Sequence, residues 1–191
     1  MANVLTAGNS SNGGTAISTD TSGTLNIVTG SGSGSNAITI DASQNVTIAK
    51  GVTGTPAFSA YYTGAGQSVI TNTFVKLILN TEEFDTNNNF DSTTNYRFTP
   101  TVAGYYQING QIAFTTWVAG GELAIFKNGS QFKNGNNANN TAWATVSAVI
   151  YFNGSTDYVE LYIAQTSGST QTSTATSVAN NYFNGALIRG A

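Results

Sequence analysis

From Asn36 to Pro56 the chain reads "NAITIDASQNVTIAKGVTGTP", with apolar and polar residues in alternation. Ile38 and Ile40 lead into a polar turn and Val46 and Ile48 lead out of it, the pattern of a β-hairpin. An isolated two-stranded hairpin is marginal in water. The stretch "TAGNSSNGGTAISTDTSG" upstream is almost entirely small and polar. The hairpin is therefore expected to find its partners on other chains. A further apolar patch, "TLNIVTG", carries Leu25 and Ile27, and "GSGSGS" after it is a flexible spacer. Residues 1–24 read as disordered in isolation. "TLNIV" followed by "AITIDASQNVTIA" hints at a loosely repeated short-strand unit.

The pattern changes at about Pro56, so residues 1–56 read as an arm and residues 57–191 as one head domain. In the head, "AFSAYY", "VITNTFVKLIL", "YRF", "GYYQINGQIAFTTW", "ELAIFKNG", "AWATVSAVIYFNG", "DYVELYIAQ" and "YFNGALI" recur with Asn/Gly turn signals between them. Regular short strands of this kind predict an all-β sandwich or jelly roll. Alternation puts Tyr106, Ile108, Ile112 and Phe114 on one side of a long strand, with Gln107, Asn109 and Gln111 on the other. It puts Val159, Leu161 and Ile163 inward and Tyr158, Glu160 and Tyr162 outward. The stretches Asn134–Thr141 and Thr166–Ser177 read as long polar loops, offering amide and hydroxyl groups to a glycan or receptor.

Composition sharpens this picture. Only 8% of residues are charged, against about 25% in an ordinary soluble protein. With 21 glycines, that argues against long surface helices. The net charge is −3 and the six basic residues are scattered, so no basic stripe predicts nucleic-acid binding. No secretory signal opens the chain and no stretch approaches a membrane span. Without Cys or His there is no disulfide framework, no Cys/His zinc site and none of the usual nucleophilic triads. The one acidic cluster, Glu82, Glu83, Asp85 and Asp91, lies in the loop-like "NTEEFDTNNNFD". It faintly suggests paired carboxylates or a calcium loop, but the EF-hand glycine and terminal glutamate are missing. The expectation is no catalytic residue and no cofactor, with calcium in this loop kept as the alternative.

Residues 57–191 resemble the complement C-one-q and tumour-necrosis-factor type of jelly roll. The resemblance rests on "AFSA" at Ala57–Ala60, Phe90-Asp91, Phe98-Thr99, Gly104 and Tyr106, then Ile125, Asn128 and Gly129. It continues through Asp157 and Val159 to Phe183, Gly185, Leu187 and Ile188. Phe98, Gly104, Tyr106, Val159, Phe183, Gly185 and Leu187 are its fold-signature core, with Gly104 allowing a tight turn into the long strand. Pro100 and Tyr96 depart from the usual pattern, and the collagen-like stalk of the complement proteins is absent. The "AITIDASQNVTIA" segment is instead similar to short β-units of tailed-bacteriophage fibre and particle-surface proteins. The resemblance implies a homotrimeric head, for which Tyr158, Tyr162 and Tyr61 are interface candidates. It also implies attachment to other virion proteins, capsid or tail, through Leu25, Ile27, Ile38, Ile40, Val46 and Ile48. The function expected is a virion-surface structural protein made in the host cytoplasm, foremost a capsid decoration or head-fibre protein. A tail-fibre or spike component contacting a host receptor or glycan is the alternative. A secreted binding module and a glycan-cleaving enzyme stand behind these.

Overall fold

The computed structural model describes residues 25–29, 35–48, 55–138, 141–175 and 178–191. The chain divides between residues 53 and 54 into two units. Every regular element among the described residues is a strand. None of them forms a helix long and apolar enough to cross a membrane.

The first unit holds β1 (Leu25–Thr29), β2 (Ser35–Ile40) and β3 (Val46–Ile48) in one antiparallel sheet of order β1-β2-β3. The hairpin arises where the alternation predicts it, and its turn is built by one carboxylate. Asp41 Oδ1 accepts the Ser43 and Asn45 amides, both at 2.9 Å. The Asn45 side-chain amide donates to Oδ2 at 3.0 Å, while Gln44 takes a left-handed φ of 67°. The Asn45 side chain is foremost among the groups that hold the Asp41 carboxyl below its usual range. The hairpin is not without a partner in its own chain, contrary to expectation: β1 pairs with the free edge of β2. The "TLNIVTG" patch is thus the third strand of the same sheet, which local pattern alone did not connect across the Gly/Ser spacer.

The head contains β4 (Ala57–Tyr61), β5 (Ser68–Val69), β6 (Val75–Lys76), β7 (Thr81–Asp85), β8 (Phe90–Asp91) and β9 (Arg97–Phe98). The long strands follow: β10 (Gly104–Val118), β11 (Gly121–Lys127), β12 (Ser130–Ala138), β13 (Thr141–Phe152), β14 (Val159–Ala164), β15 (Gln171–Thr172) and β16 (Tyr182–Gly190). One sheet has the order β13-β10-β16-β4-β7. The other has the order β12-β11-β14-β9-β8, with β6 also paired to β14. This is a jelly-roll sandwich.

Its core is aromatic at one end. Phe58 stacks on Phe98 at 4.1 Å between ring centres and meets Phe183 edge-on at 5.2 Å. Tyr106 packs edge-on against Phe98 and Phe152. Burial of Tyr106 raises its phenol to about 12, and the hydroxyl is satisfied by donating to the Val102 carbonyl at 2.8 Å. Phe98, Tyr106, Val159 and Phe183 are wholly buried and Leu187 packs against the cluster. Gly185 lies where a Cβ would stand 2.6 Å from Ile108 Cδ1 and 2.9 Å from the Gln107 carbonyl. Gly104 opens β10 directly against β16, so that a Cβ would strike the Arg189 carbonyl oxygen. Gly104 therefore allows a close backbone approach where β10 begins.

Two further segments differ from expectation. The polar stretch after Asn134 is no loop: β12 runs through Ala138 and β13 resumes at Thr141. The acidic "TEEFD" is β7, an edge strand paired with β4. Its polar composition masked it, because an edge strand needs little apolar content.

Candidate functional site

The outer face of the five-stranded sheet is where the head exposes a contiguous apolar surface. β10 and β13 pair with Tyr105 opposite Tyr151, Gln107 opposite Val149, Asn109 opposite Ser147 and Gln111 opposite Thr145. Tyr106, Ile108, Ile150 and Phe152 fill the core from the alternate positions. The outward set is thereby fixed. Tyr105 is 45% exposed, Tyr151 44%, Val149 50% and Ile188 57%. The two tyrosine rings lie 5.4 Å apart, tilted by 58°. With Arg189 and the last two residues they line an open groove of about 560 Å³.

Beside this apolar end runs a row of polar residues across all five strands. Ser147 stands opposite Asn109, Asn109 opposite Asn184 and Asn184 opposite Ser59. Their side chains are bonded in two groups, Ser147–Asn109–Asn184 and Ser59–Glu83. Ser147 Oγ donates to Asn109 Oδ1 at 2.9 Å, and Asn109 Nδ2 to Asn184 Oδ1 at 3.1 Å. Ser59 Oγ donates to Glu83 Oε2 at 2.7 Å. Gln107 Nε2 joins the row through Asn109 Oδ1 and Ser147 Oγ. A second groove of about 350 Å³ follows the row and is edged by Phe84. Glu83 enters no ion pair among the described residues. The face offers apolar contact, amides and hydroxyls, with the Glu83 carboxylate at the end of the row.

The predicted candidates lie elsewhere, with one exception. Tyr158 and Tyr162 point away from the core on β14 or next to it, but they do not stand bare. Tyr162 is stacked on Phe126 at 4.0 Å, and Phe126 in turn meets Phe74. The Arg97 guanidinium sits 4.3 Å over the Tyr158 ring. Glu160 between them is buried and paired with Lys76 Nζ at 2.6 Å. Burial, with the Glu160 charge second, raises the Tyr162 phenol. Both tyrosines are half-buried within the single chain. Tyr61 is the exception: it lies in β4 on the five-stranded sheet, opposite Tyr182 and Thr81. Tyr105 and Tyr151 were missed. Their signal was the aromatic doublet at Tyr105-Tyr106 and the apolar run ending in Tyr151-Phe152, where alternation sends one ring in and one out.

The acidic residues are spent on separate partners. Glu82 accepts Ser92 Oγ at 2.6 Å, and Asp85 accepts the Phe90 amide at 2.6 Å. Asp91 accepts the Thr93, Thr94 and Asn95 amides, and these bonds, Thr94 first, hold its carboxyl well below the usual range. No group of three or more acids with metal-holding geometry occurs among the described residues. Leu25, Ile27, Ile38, Ile40, Val46 and Ile48 occupy paired register positions of the arm sheet.

No protein-family model matches the chain, and no curated protein matches it in sequence. Solved structures do match the head. PRD1 vertex protein P5 superposes with a TM-score of 0.52 at 21% identity, over 70% of this chain and 97% of that one. Murine APRIL gives 0.53 at 8% identity, over 70% and 99%. Eiger TNF from S. frugiperda gives 0.51 at 7% identity, over 72% and 94%. At these identities the likeness is one of fold: the head is a jelly roll of the tumour-necrosis-factor-like kind.

Proposed function

We propose that the protein is a structural component of a bacteriophage particle: a homotrimer whose heads stand on the capsid as a decoration or head-fibre protein, attached through the segment ahead of residue 57. The observation that carries this reading is the half-exposed cluster of Tyr105, Val149, Tyr151 and Ile188. Large apolar side chains gathered on one sheet face are a cost in water and a gain when a second chain covers them. Closed cyclic assembly lets every copy cover another's face without leaving one open. The likeness of fold to a protein named for a particle vertex supports the particle setting.

Two measurements test the reading. Light scattering of the full chain should give three times 19.8 kDa; a chain that stays monomeric at high micromolar concentration refutes the trimer. Antibodies raised against the head should label the capsid shell of intact particles in electron micrographs. Label confined to the tail would replace decoration with the fibre or spike alternative, and no label at all would refute a virion role.

A further inference from the structure

We infer that the heads join side to side, the β12 edge of one copy meeting the β7 edge of the next, with Lys133 paired to Glu83 and Phe132 packed on Phe84 across the contact. The inference rests on the trimeric reading and names the two sides that meet in it. Sheet order carries it. β13 and β7 are the opposite edges of one sheet, and β12 and β8 those of the other. Bonds close each lateral side of the sandwich. Asn136 of β12 accepts the Thr145 amide of β13 at 2.6 Å, and Lys127 Nζ donates to the Tyr151 carbonyl at 2.7 Å. On the opposite side Glu82 of β7 accepts Ser92 Oγ, and Asp85 accepts the Phe90 amide. Each side presents an exposed phenylalanine beside a charge that finds no counter-ion in its own chain. Phe132 is 47% exposed, with Lys133 Nζ 5.2 Å from its ring centre. Phe84 is 50% exposed and lines one groove with Glu83. Among the described residues Lys133 meets no carboxylate, and neither Glu82 nor Glu83 meets a cation. Glu122 on β11 alternates with the inward Leu123 and accepts Gln131 Nε2 on the outer face of the other sheet.

Symmetry and charge select a second copy of the head as the occupant. A closed ring joins two different surfaces of each chain. Like sides meeting would set Lys133 against Lys133 and Glu83 against Glu83, whereas unlike sides bring opposite charges together. Lateral sides meet when the three-fold axis runs along the strands. Rotation about that axis keeps every residue at its own height, so the surfaces in contact must share a level. They do. Lys127, opposite Ser130, ties the start of β12 to Tyr151, and Asn136 ties its later part to Thr145. Phe132 and Lys133 fall between these ties, beside the Ser147–Val149 stretch of β13. From Ser147 the register runs through Asn109, Asn184 and Ser59 to Phe84. Arg189, which also lacks a carboxylate partner among the described residues, stands opposite Tyr105 instead. It is about 13 Å along β10 from that level, at about 3.3 Å per residue. β13 carries Val149 and Tyr151 as well, so the β12 side continues the exposed apolar cluster around the edge of the sheet.

Charge reversal in the full chain tests the contact by sedimentation velocity across a concentration series. Lys133→Glu and Glu83→Lys should each raise the midpoint of trimer dissociation about tenfold, because a ring holds three such contacts. The double variant restores opposite charges and should return to within about threefold of the parent. Circular-dichroism melts near that of the parent show the single chain intact. Carbodiimide, which condenses an amine with a carboxylate in contact, gives a readout on the unmodified chain: covalent trimers joined from Lys133 to Glu83. Single variants that move the midpoint less than about threefold overturn the inference and leave the trimeric reading standing. So does a double variant as weak as the single ones, or a trimer that carbodiimide does not link at Lys133. A monomeric parent chain overturns the trimeric reading and this contact with it.

Discussion

Replacing Tyr105 with Ala tests the proposed head contact separately from the stability of the fold. In one chain the ring is 45% exposed and its principal aromatic partner is Tyr151 at 5.4 Å. Losing that ring pair costs the single chain about 1 kcal/mol. In the proposed trimer the loss is larger. An aromatic side chain offers about 200 Å², so the exposed fraction leaves about 90 Å² for a neighbour to cover. At about 25 cal/mol per Å² that is about 2 kcal/mol per chain, and about 6 kcal/mol for a trimer. Each 1.4 kcal/mol is tenfold, so the association constant falls by about four orders of magnitude. Half-dissociation of a trimer follows the square root of that constant, and its midpoint moves up about a hundredfold. Sedimentation velocity across a concentration series, with a circular-dichroism melt as the control, reads both quantities. A trimer whose midpoint moves less than about threefold, with the melt near that of the parent chain, would show that Tyr105 lies outside the interface.

The remaining predictions concern the fold. Gly185→Ala should lower head stability by about 1–3 kcal/mol in denaturant unfolding, because the new Cβ meets Ile108 Cδ1 and backbone at under 3 Å. Lys76→Met should cost about 2–3 kcal/mol by stranding the buried Glu160 carboxylate, whereas Lys76→Met with Glu160→Leu should recover most of that loss. Asp91 and Asp157 both have folded carboxyls below the ordinary range, the latter held foremost by the Asn128 amide and then by Lys127. A lowered folded value means stability that is present above about pH 4 and lost as pH falls below it. Melting temperature should therefore stay level from neutral pH to about 5 and drop in more acid solution, and Asp91→Asn should make that drop shallower.

Much of the fold was legible because strand faces are a local property. Alternation alone placed Tyr106, Ile108, Ile112 and Phe114 inside β10 and Val159, Leu161 and Ile163 inside β14, and all seven are buried. The hairpin turn was equally local, since Asp41 reaches its partners within four residues. The strands hidden in "TEEFD" and the Asn-rich segment were not legible, because edge strands carry few apolar residues to betray them. Nor was the choice between outward faces. Alternation sends Tyr105, Tyr151, Tyr158 and Tyr162 alike away from the core, and says nothing of what lies over them. Only tertiary structure decides that, by bringing Phe126 onto Tyr162 and Lys76 onto Glu160 of β14, and Arg97 over the Tyr158 beside it. Lys76 and Glu160 meet across 84 residues of sequence. The outer side of β10 and β13 has Tyr105, Val149 and Tyr151 about half exposed. Whether an outward ring is covered depends on contacts far apart along the chain, and a two-residue period holds no information about those.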